Sequence, residues 1–353
     1  MAAAPPAVAL LGAASRGAVR EHWSPRGAVP RVHVSALTEA SFLRDFVATS
    51  RPVVLLGATA HWRAHARWRA AGDWRERLVE LAGEAAETDV NTTPTGRGDA
   101  AVDGAFVAPC TKRLPLRAAL AELAGGGRCG VPYLSGQDDN VRKQLPGLLA
   151  DLGGDAGCDV ASAALGGASG IDAVNLWVGE SRSITSATHK DHYENLVSVI
   201  VGVKRFTLLP PADVLWLYER ELPPAAFAHD DALCRGCGGG GGGGGGEPCW
   251  RIARDADPEA RVPWICVDPD APDDARFPLF ANASPVTVDV AAGETLYLPA
   301  LWYHQVSHPQ DGPTVAVNVW RDMNFNSAAF ASFSLLREAA LLTTRETAHR
   351  GAP

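Results

Sequence analysis

The chain has 353 residues, 46% of them hydrophobic and 20% charged, with a formal net charge of −8. Length and apolar content suffice for a substantial core and exclude a disordered chain. No apolar run approaches bilayer length, and the negative balance argues against nucleic acid as a direct partner while suiting a basic polypeptide.

Seven cysteines, odd in number and irregularly spaced, make no disulfide framework and point to a reducing compartment, cytoplasm first and nucleus second. Residues 1–30 read as a leader that is Ala-rich and lacks acidic residues before Glu21. Leu37, Phe42, Leu43, Phe46 and Val47 fall on a helical repeat with Thr38 as its cap, and Pro52 to Gly57 reads as a buried strand. His61 to Leu81 reads as helix, with Trp62, Trp68 and Trp74 as packing residues. Thr88 to Thr93 is a strand, and Pro115 to Leu123 a helix with proline in its first turn. Together, residues 31–172 form an N-terminal α/β region packed on the core.

From Ala173 the pattern changes to short β-rich runs: 174–178, 195–201, 204–209, 286–290, 295–298, 303–306 and 314–320. Gly202, Pro210-Pro211, Ala292-Gly293 and Asp311-Gly-Pro313 punctuate them. The fold class is therefore mainly β, a cupin-like jelly roll (double-stranded β-helix) over 173–325, followed by a helix near Phe330 to Leu342 within the tail 326–353. An insertion at 211–284 interrupts the β pattern and carries a glycine-rich loop at 236–247. Cys234-Arg-Gly-Cys237 and Cys249 stand there, but one Cys-x-x-Cys beside low complexity lacks the second close pair of a zinc site, and a reading without zinc is preferred.

His189-Lys-Asp191 with the distant His304 is the ligand set of a facial triad, which holds Fe(II) and leaves open positions for a co-substrate and dioxygen. Residues two apart on a strand share a face, so His189 and Asp191 reach one ion while Lys190 points away and His192 is a poorer ligand. An iron centre of this kind needs a reductant, and 2-oxoglutarate is the commonest small one. Its distal carboxylate calls for a buried cation and hydroxyl donors. Lys204 is the candidate cation, and Tyr133, Thr185, Ser186 and Thr188 are candidate donors. Asn175, Asn195 and Asn318 are polar residues inside strands, either hydrogen-bond partners of the co-substrate or edge residues.

His189-Lys-Asp-His-Tyr-Glu-Asn-Leu196, Gly202 to Phe206, Leu298-Pro-Ala-Leu-Trp-Tyr-His304 and Ala316-Val-Asn-Val-Trp320 together resemble the jumonji-C oxygenases. Within them the chain looks most like the small (3S)-lysyl hydroxylase branch that acts on developmentally regulated GTP-binding proteins, from about Val34 to Leu342. The resemblance implies His189, Asp191 and His304 as ligands of Fe(2+), with 2-oxoglutarate and O2 as co-substrates. It implies Lys204 and Tyr133 on the distal carboxylate, Asn195 and Asn318 in support, and Trp320 packed beside them. The family hydroxyl three residues before the first histidine falls on Ser186, or on Thr185 if one residue has been added.

The partner implied by the resemblance is a protein bearing a lysine, with a GTP-binding protein as the class it names, no membrane, and a homodimer as an option. Glu194 and Trp302 are candidates by position for receiving the lysine. Rival readings are a histone demethylase or histone-tail peptidase, a zinc or manganese cupin isomerase, and a non-catalytic jumonji-like binding module.

Overall fold

A computed structural model describes residues 12–13, 28–68, 74–125, 129–230 and 249–350. Most of the expected leader, the glycine-rich loop, Cys234 and Cys237 lie outside them. In chain order the strands are β1 (Arg31–His33), β2 (Val53–Leu56), β3 (Glu87–Thr93), β4 (Ala100–Val102), β5 (Ala105–Ala108), β6 (Cys110–Pro115) and β7 (Val131–Tyr133). Then come β8 (Ala173–Gly179), β9 (Thr185–His189), β10 (Tyr193–Val201) and β11 (Val203–Leu209). The insertion supplies β12 (Glu219–Leu222), β13 (Pro224–His229), β14 (Trp250–Arg254) and β15 (Val262–Ile265). β16 (Val286–Ala291), β17 (Glu294–Leu298), β18 (Tyr303–Ser307) and β19 (Thr314–Asp322) complete the set.

Two sheets build the core, a six-stranded one in the order β1-β2-β17-β10-β19-β8 and a four-stranded one in the order β16-β11-β18-β9. Each β-rich run expected from Ala173 onward is a strand, and the sheets form the expected cupin-like jelly roll. Between them pack Val54, Val197, Phe206, Leu208, Val288, Leu296 and Val306. Alternation along β16 shows the principle: Val286, Val288 and Val290 are buried while Thr287 is exposed.

The larger sheet is buried on both faces along β8 and β19, whose residues are almost uniformly buried. Its outer face is covered by short helices that bring Phe42, Trp62, Trp68, Leu78, Leu120 and Leu145 onto Tyr297, Val174 and Val317. The three tryptophans are packing residues, as expected. Thr38 caps the helix Glu39–Phe42 in a capping box with Ser41, and a wider π turn, Leu43–Val47, continues it.

Four expectations need correction. β1 and β2, assigned above to the N-terminal region, extend the jelly-roll sheet, with β2 antiparallel to β17. Pro115 stands before the helix Leu116–Ala124 as its cap residue, not in its first turn. The stretch read as one helix from His61 has separate helices at Ala64–Arg67 and Trp74–Ala82.

The insertion, fourth, continues the β architecture instead of interrupting it. β12 pairs with β15, and β13 joins β14 and β5 in a sheet shared with the N-terminal region. Buried Asp213 accepts the Ser284 amide at 2.6 Å, so the two ends of the insertion meet. The C-terminal helix, Ala328–Arg350, starts and ends beyond the expected range. No helix among the described residues is long and apolar enough to cross a membrane.

Candidate active site

His189 closes β9 and His304 lies opposite it on β18, paired in register. Directly opposed residues of antiparallel strands project to one side, and the two imidazoles lie 4.3 Å apart between centroids. Asp191 follows β9 and completes the set. Its carboxylate oxygens stand 4.0 Å from His189 Nε2 and 3.7 Å from His304 Nε2. All three ligand atoms lie within 4.8 Å of one another.

Backbone contacts fix these arms. The Leu301 amide donates to the Asp191 carbonyl at 2.8 Å, which ties the turn before His304 to the Asp191 loop. His304 Nδ1 lies 3.0 Å from the Trp302 carbonyl, an acceptor only, so Nδ1 carries the proton and Nε2 keeps its lone pair for an ion. Lys190 turns away, its ammonium 5.5 Å from the centre of the Phe333 ring. His192 stacks on Phe325 and stands outside the ligand set, as its place on the strand implies.

The triad opens into a cavity between the sheets, lined also by Trp177, Asn195, Lys204, Asn318 and Trp320. Lys204 on β11 is 3% exposed and has no acidic partner among the described residues. Burial pushes its ammonium down from 10.5 to about 7. It donates to the Tyr133 hydroxyl at 3.1 Å and lies 5.1 Å from the Trp177 ring. A buried cation with only a phenol and a ring for company is costly on its own and suited to an anion that arrives later.

The asparagines divide by role. Trp177 Nε1 donates to Asn318 Oδ1 at 2.8 Å, and Asn318 Nδ2 donates to Asn195 Oδ1 at 3.1 Å, a chain along the cavity wall. Asn175 is instead held by the Asp139 amide and belongs to the scaffold. Trp320 stacks on Tyr193 at 4.8 Å, and its buried Nε1 has no acceptor among the described residues. The β9 backbone carries Thr185 and Ser186, with Thr185 paired to Val306, but their side chains lie outside the described residues, so the choice between them stays open.

Two placements by position fail. Glu194 points to the other side of β10, where it accepts from Tyr297 Oη at 2.6 Å, and burial raises its carboxyl above the usual range. The Trp302 indole donates to the Ser50 carbonyl. Both line a separate cavity beside the C-terminal helix, and for Glu194 the reason is that neighbouring residues on a strand face opposite ways.

Residues not singled out above also shape the site. Trp264 of β15 lies parallel to His189, 6.2 Å away at an interplanar angle of 3°, and brings the insertion to the metal rim. Buried His308 packs edge-on to Tyr133 at 5.7 Å. Burial, then the charge of Lys204, pushes its imidazole down to about 3, so it stays neutral. Gly179 makes room for this pair, because a Cβ there would stand 2.8 Å from Tyr133 and 2.9 Å from His308. The His308 signal is faint in sequence, a lone histidine before a proline.

Residues 39–327 match the cupin-like domain family. The chain belongs to that family, in its jumonji-C branch. It is 36% identical over 300 residues to the human bifunctional peptidase and (3S)-lysyl hydroxylase JMJD7, covering 85% of each chain. It is also 34% identical to the lysine-specific demethylase JMJ32 of Arabidopsis thaliana, over 84% of this chain and 82% of that one. JmjC domain-containing protein E of Dictyostelium discoideum is 30% identical over 323 residues, 85% of this chain and 86% of its own. With the fold and triad in place, these likenesses make the protein a 2-oxoglutarate-dependent dioxygenase of the jumonji-C type.

Proposed function

We propose that the protein hydroxylates a lysyl side chain of a protein substrate, using Fe(II), 2-oxoglutarate and dioxygen, and that the substrate is a GTP-binding protein. One observation carries the co-substrate reading: Lys204, a buried cation without an acidic partner among the described residues, lines the same cavity as the His189–Asp191–His304 set. Two imidazole nitrogens and a carboxylate fit Fe(II), and the lone ammonium fits one end of a dicarboxylate.

His189, Asp191 and His304 would hold the iron, and Lys204 with Tyr133 would hold the distal carboxylate. Iron with 2-oxoglutarate supplies dioxygen activation when bound, with succinate and CO2 as co-products. The chain's own residues do the rest. The Trp302 carbonyl keeps the His304 tautomer, and the Trp177–Asn318–Asn195 chain orients the cavity wall. Trp264 and the inner-sheet valines screen the rim from water. Lys204 takes up a proton when an anion arrives, because an opposite charge restores its ordinary basicity.

The lysyl target comes from the likeness to the human hydroxylase, and the protein-substrate class from the same source. The Arabidopsis relative supports a second reading, N-methyl-lysine demethylation by the same centre. The retained triad and Lys204 speak against a silent binding module. Assembly as a homodimer is carried over as an expectation for light scattering to test.

The deciding experiment incubates purified protein with Fe(II), ascorbate, 2-oxoglutarate and lysine-bearing peptides from candidate GTP-binding proteins. Mass spectrometry should show the gain of one oxygen atom on lysine. Formaldehyde release from methylated peptides, with no stable gain on unmethylated ones, would replace hydroxylation by demethylation.

A further inference from the structure

A lysyl substrate needs a receptor for its ammonium, and Glu194 and Trp302 face away from the triad. A small cavity next to the triad offers one. Asn91, Thr93, Asp99, Tyr133, Ser135 and Gln137 line it. Gln137 also lines the triad cavity, and the Tyr133 hydroxyl meets Lys204 there, so the two spaces share a wall.

Two of these side chains lack a partner among the described residues. Asp99 is only partly exposed, no charged neighbour offsets its burial, and that burial lifts its carboxyl from 3.8 to about 6. The nearby guanidinium of Arg97 is engaged by Asp268 at 2.6 Å. Thr93 is 3% exposed, and its buried Oγ1 has no hydrogen bond. The mechanism described above uses neither group. Left alone, a buried carboxylate and a buried hydroxyl are both costly, and together they offer acceptors to a cation rich in N–H donors.

The backbone sets Asp99 beside the strand that carries the first iron ligand. Arg97 bridges Ile184 in parallel, and the Ile184 amide donates to the Gly96 carbonyl at 2.8 Å. Gly96 permits that approach, because a Cβ there would collide with the Arg182 carbonyl. From this bridge the chain runs along β9, which brings Asp99 about level with Ser186, three residues or roughly 10 Å before His189. The hairpin that follows reaches the metal rim: Phe106 of β5 packs on Trp264 at 4.6 Å, and Trp264 stacks on His189.

We propose that Asp99, with Thr93 Oγ1 and the bridging Gln137, receives the side-chain ammonium of the substrate lysine, an assignment that rests on the lysyl-substrate reading above. The (3S) activity of the human relative is at the β-carbon. A lysine held with that carbon at the metal extends roughly 5 Å further to its nitrogen, from ordinary bond lengths. The gap between metal and substrate carbon, together with this stem, makes up the interval between His189 and Asp99. Each methyl group on the nitrogen removes a donor, so the receptor selects an unmodified lysine over a methylated one.

The test uses the full chain loaded with Mn²⁺ and N-oxalylglycine, an unreactive stand-in for 2-oxoglutarate, so that binding is read without turnover. The probes are Nα-acetyl-lysine methylamide and its norleucine analogue, which keeps the stem and lacks the ammonium. Nuclear magnetic resonance follows the relaxation that Mn²⁺ imposes on their protons. The wild type should bind the lysine probe roughly tenfold or more tightly than the norleucine probe, as a charge-assisted hydrogen bond predicts. Its β protons should relax faster than its ε protons. Asp99→Asn should bind both probes alike; asparagine keeps the side-chain size and tolerates the left-handed backbone at φ 44°. The wild-type comparison stands even if that variant fails to fold. No binding of the lysine probe, equal binding of both probes by the wild type, a preference that persists in Asp99→Asn, or faster relaxation at the ε protons would each overturn the proposal. An Asp99-dependent preference in a protein that adds no oxygen to lysyl peptides would keep the receptor and overturn only the reaction assigned above.

Discussion

Replacing Lys204 with methionine should make the empty protein more stable and its co-substrate binding weaker. Holding the ammonium from 10.5 down to about 7 corresponds to about 5 kcal/mol against its charged form. The native state therefore releases a proton that the unfolded chain keeps between about pH 7 and 10.5, and wild-type stability rises with pH across that window. Below about pH 7 the whole penalty is present.

Methionine removes the penalty and fills similar space, at the loss of one hydrogen bond from Lys204 to Tyr133, worth about 1 kcal/mol. A net gain of roughly 2–4 kcal/mol near pH 6.5 follows. At about 2 °C per kcal/mol for a chain of this size, Tm should rise by several degrees. The gain should vanish toward pH 10.5, where the lysine is neutral in both states.

The same variant loses a charge-assisted bond to 2-oxoglutarate worth about 1.5–3 kcal/mol, so Kd should rise roughly 10- to 150-fold. Scanning calorimetry at several pH values, with and without 2-oxoglutarate and Mn²⁺, reads both effects. A variant that melts below the wild type at pH 6.5, or one that binds 2-oxoglutarate equally well, would refute the reasoning.

Affinity for 2-oxoglutarate should hold steady just below pH 7 and weaken as pH rises above about 7. Lys204 must then be protonated at its own cost, up to tenfold per pH unit, and isothermal titration would show it. Gly179→Ala should push Tyr133 and His308 apart, costing about 1–3 kcal/mol of stability by overpacking and raising the KM for 2-oxoglutarate more than it lowers kcat. An unchanged KM would contradict that packing. Trp264→Ala should free the His189 ring and weaken metal binding by about tenfold, measured with Mn²⁺ by electron paramagnetic resonance.

Much of the core was legible because its strands obey simple periodicity. Val286 to Val290 and Thr314 to Trp320 announce their burial, and His189 and Asp191 announce their shared task by spacing alone. Lys204 could be read from a strand position, and its isolation from acidic groups became visible only in three dimensions.

The insertion was harder. β12 to β15 are short and mixed in polarity, and they pair with partners such as β5 that local pattern cannot identify. Trp264 stayed hidden for the same reason, since its place beside His189 depends on contacts between distant segments. Glu194 misled because its neighbour Asn195 faces the cavity while it faces away. Sequence proximity was mistaken for spatial proximity.

The most direct measurement follows succinate formation and peptide mass together, in the wild type and in His304→Ala, with Fe(II), 2-oxoglutarate and a lysine-bearing protein substrate. The account predicts one succinate for each oxygen atom gained by the substrate in the wild type, and neither product in His304→Ala. Oxygen transfer that survives loss of His304, or that proceeds without 2-oxoglutarate, would contradict it.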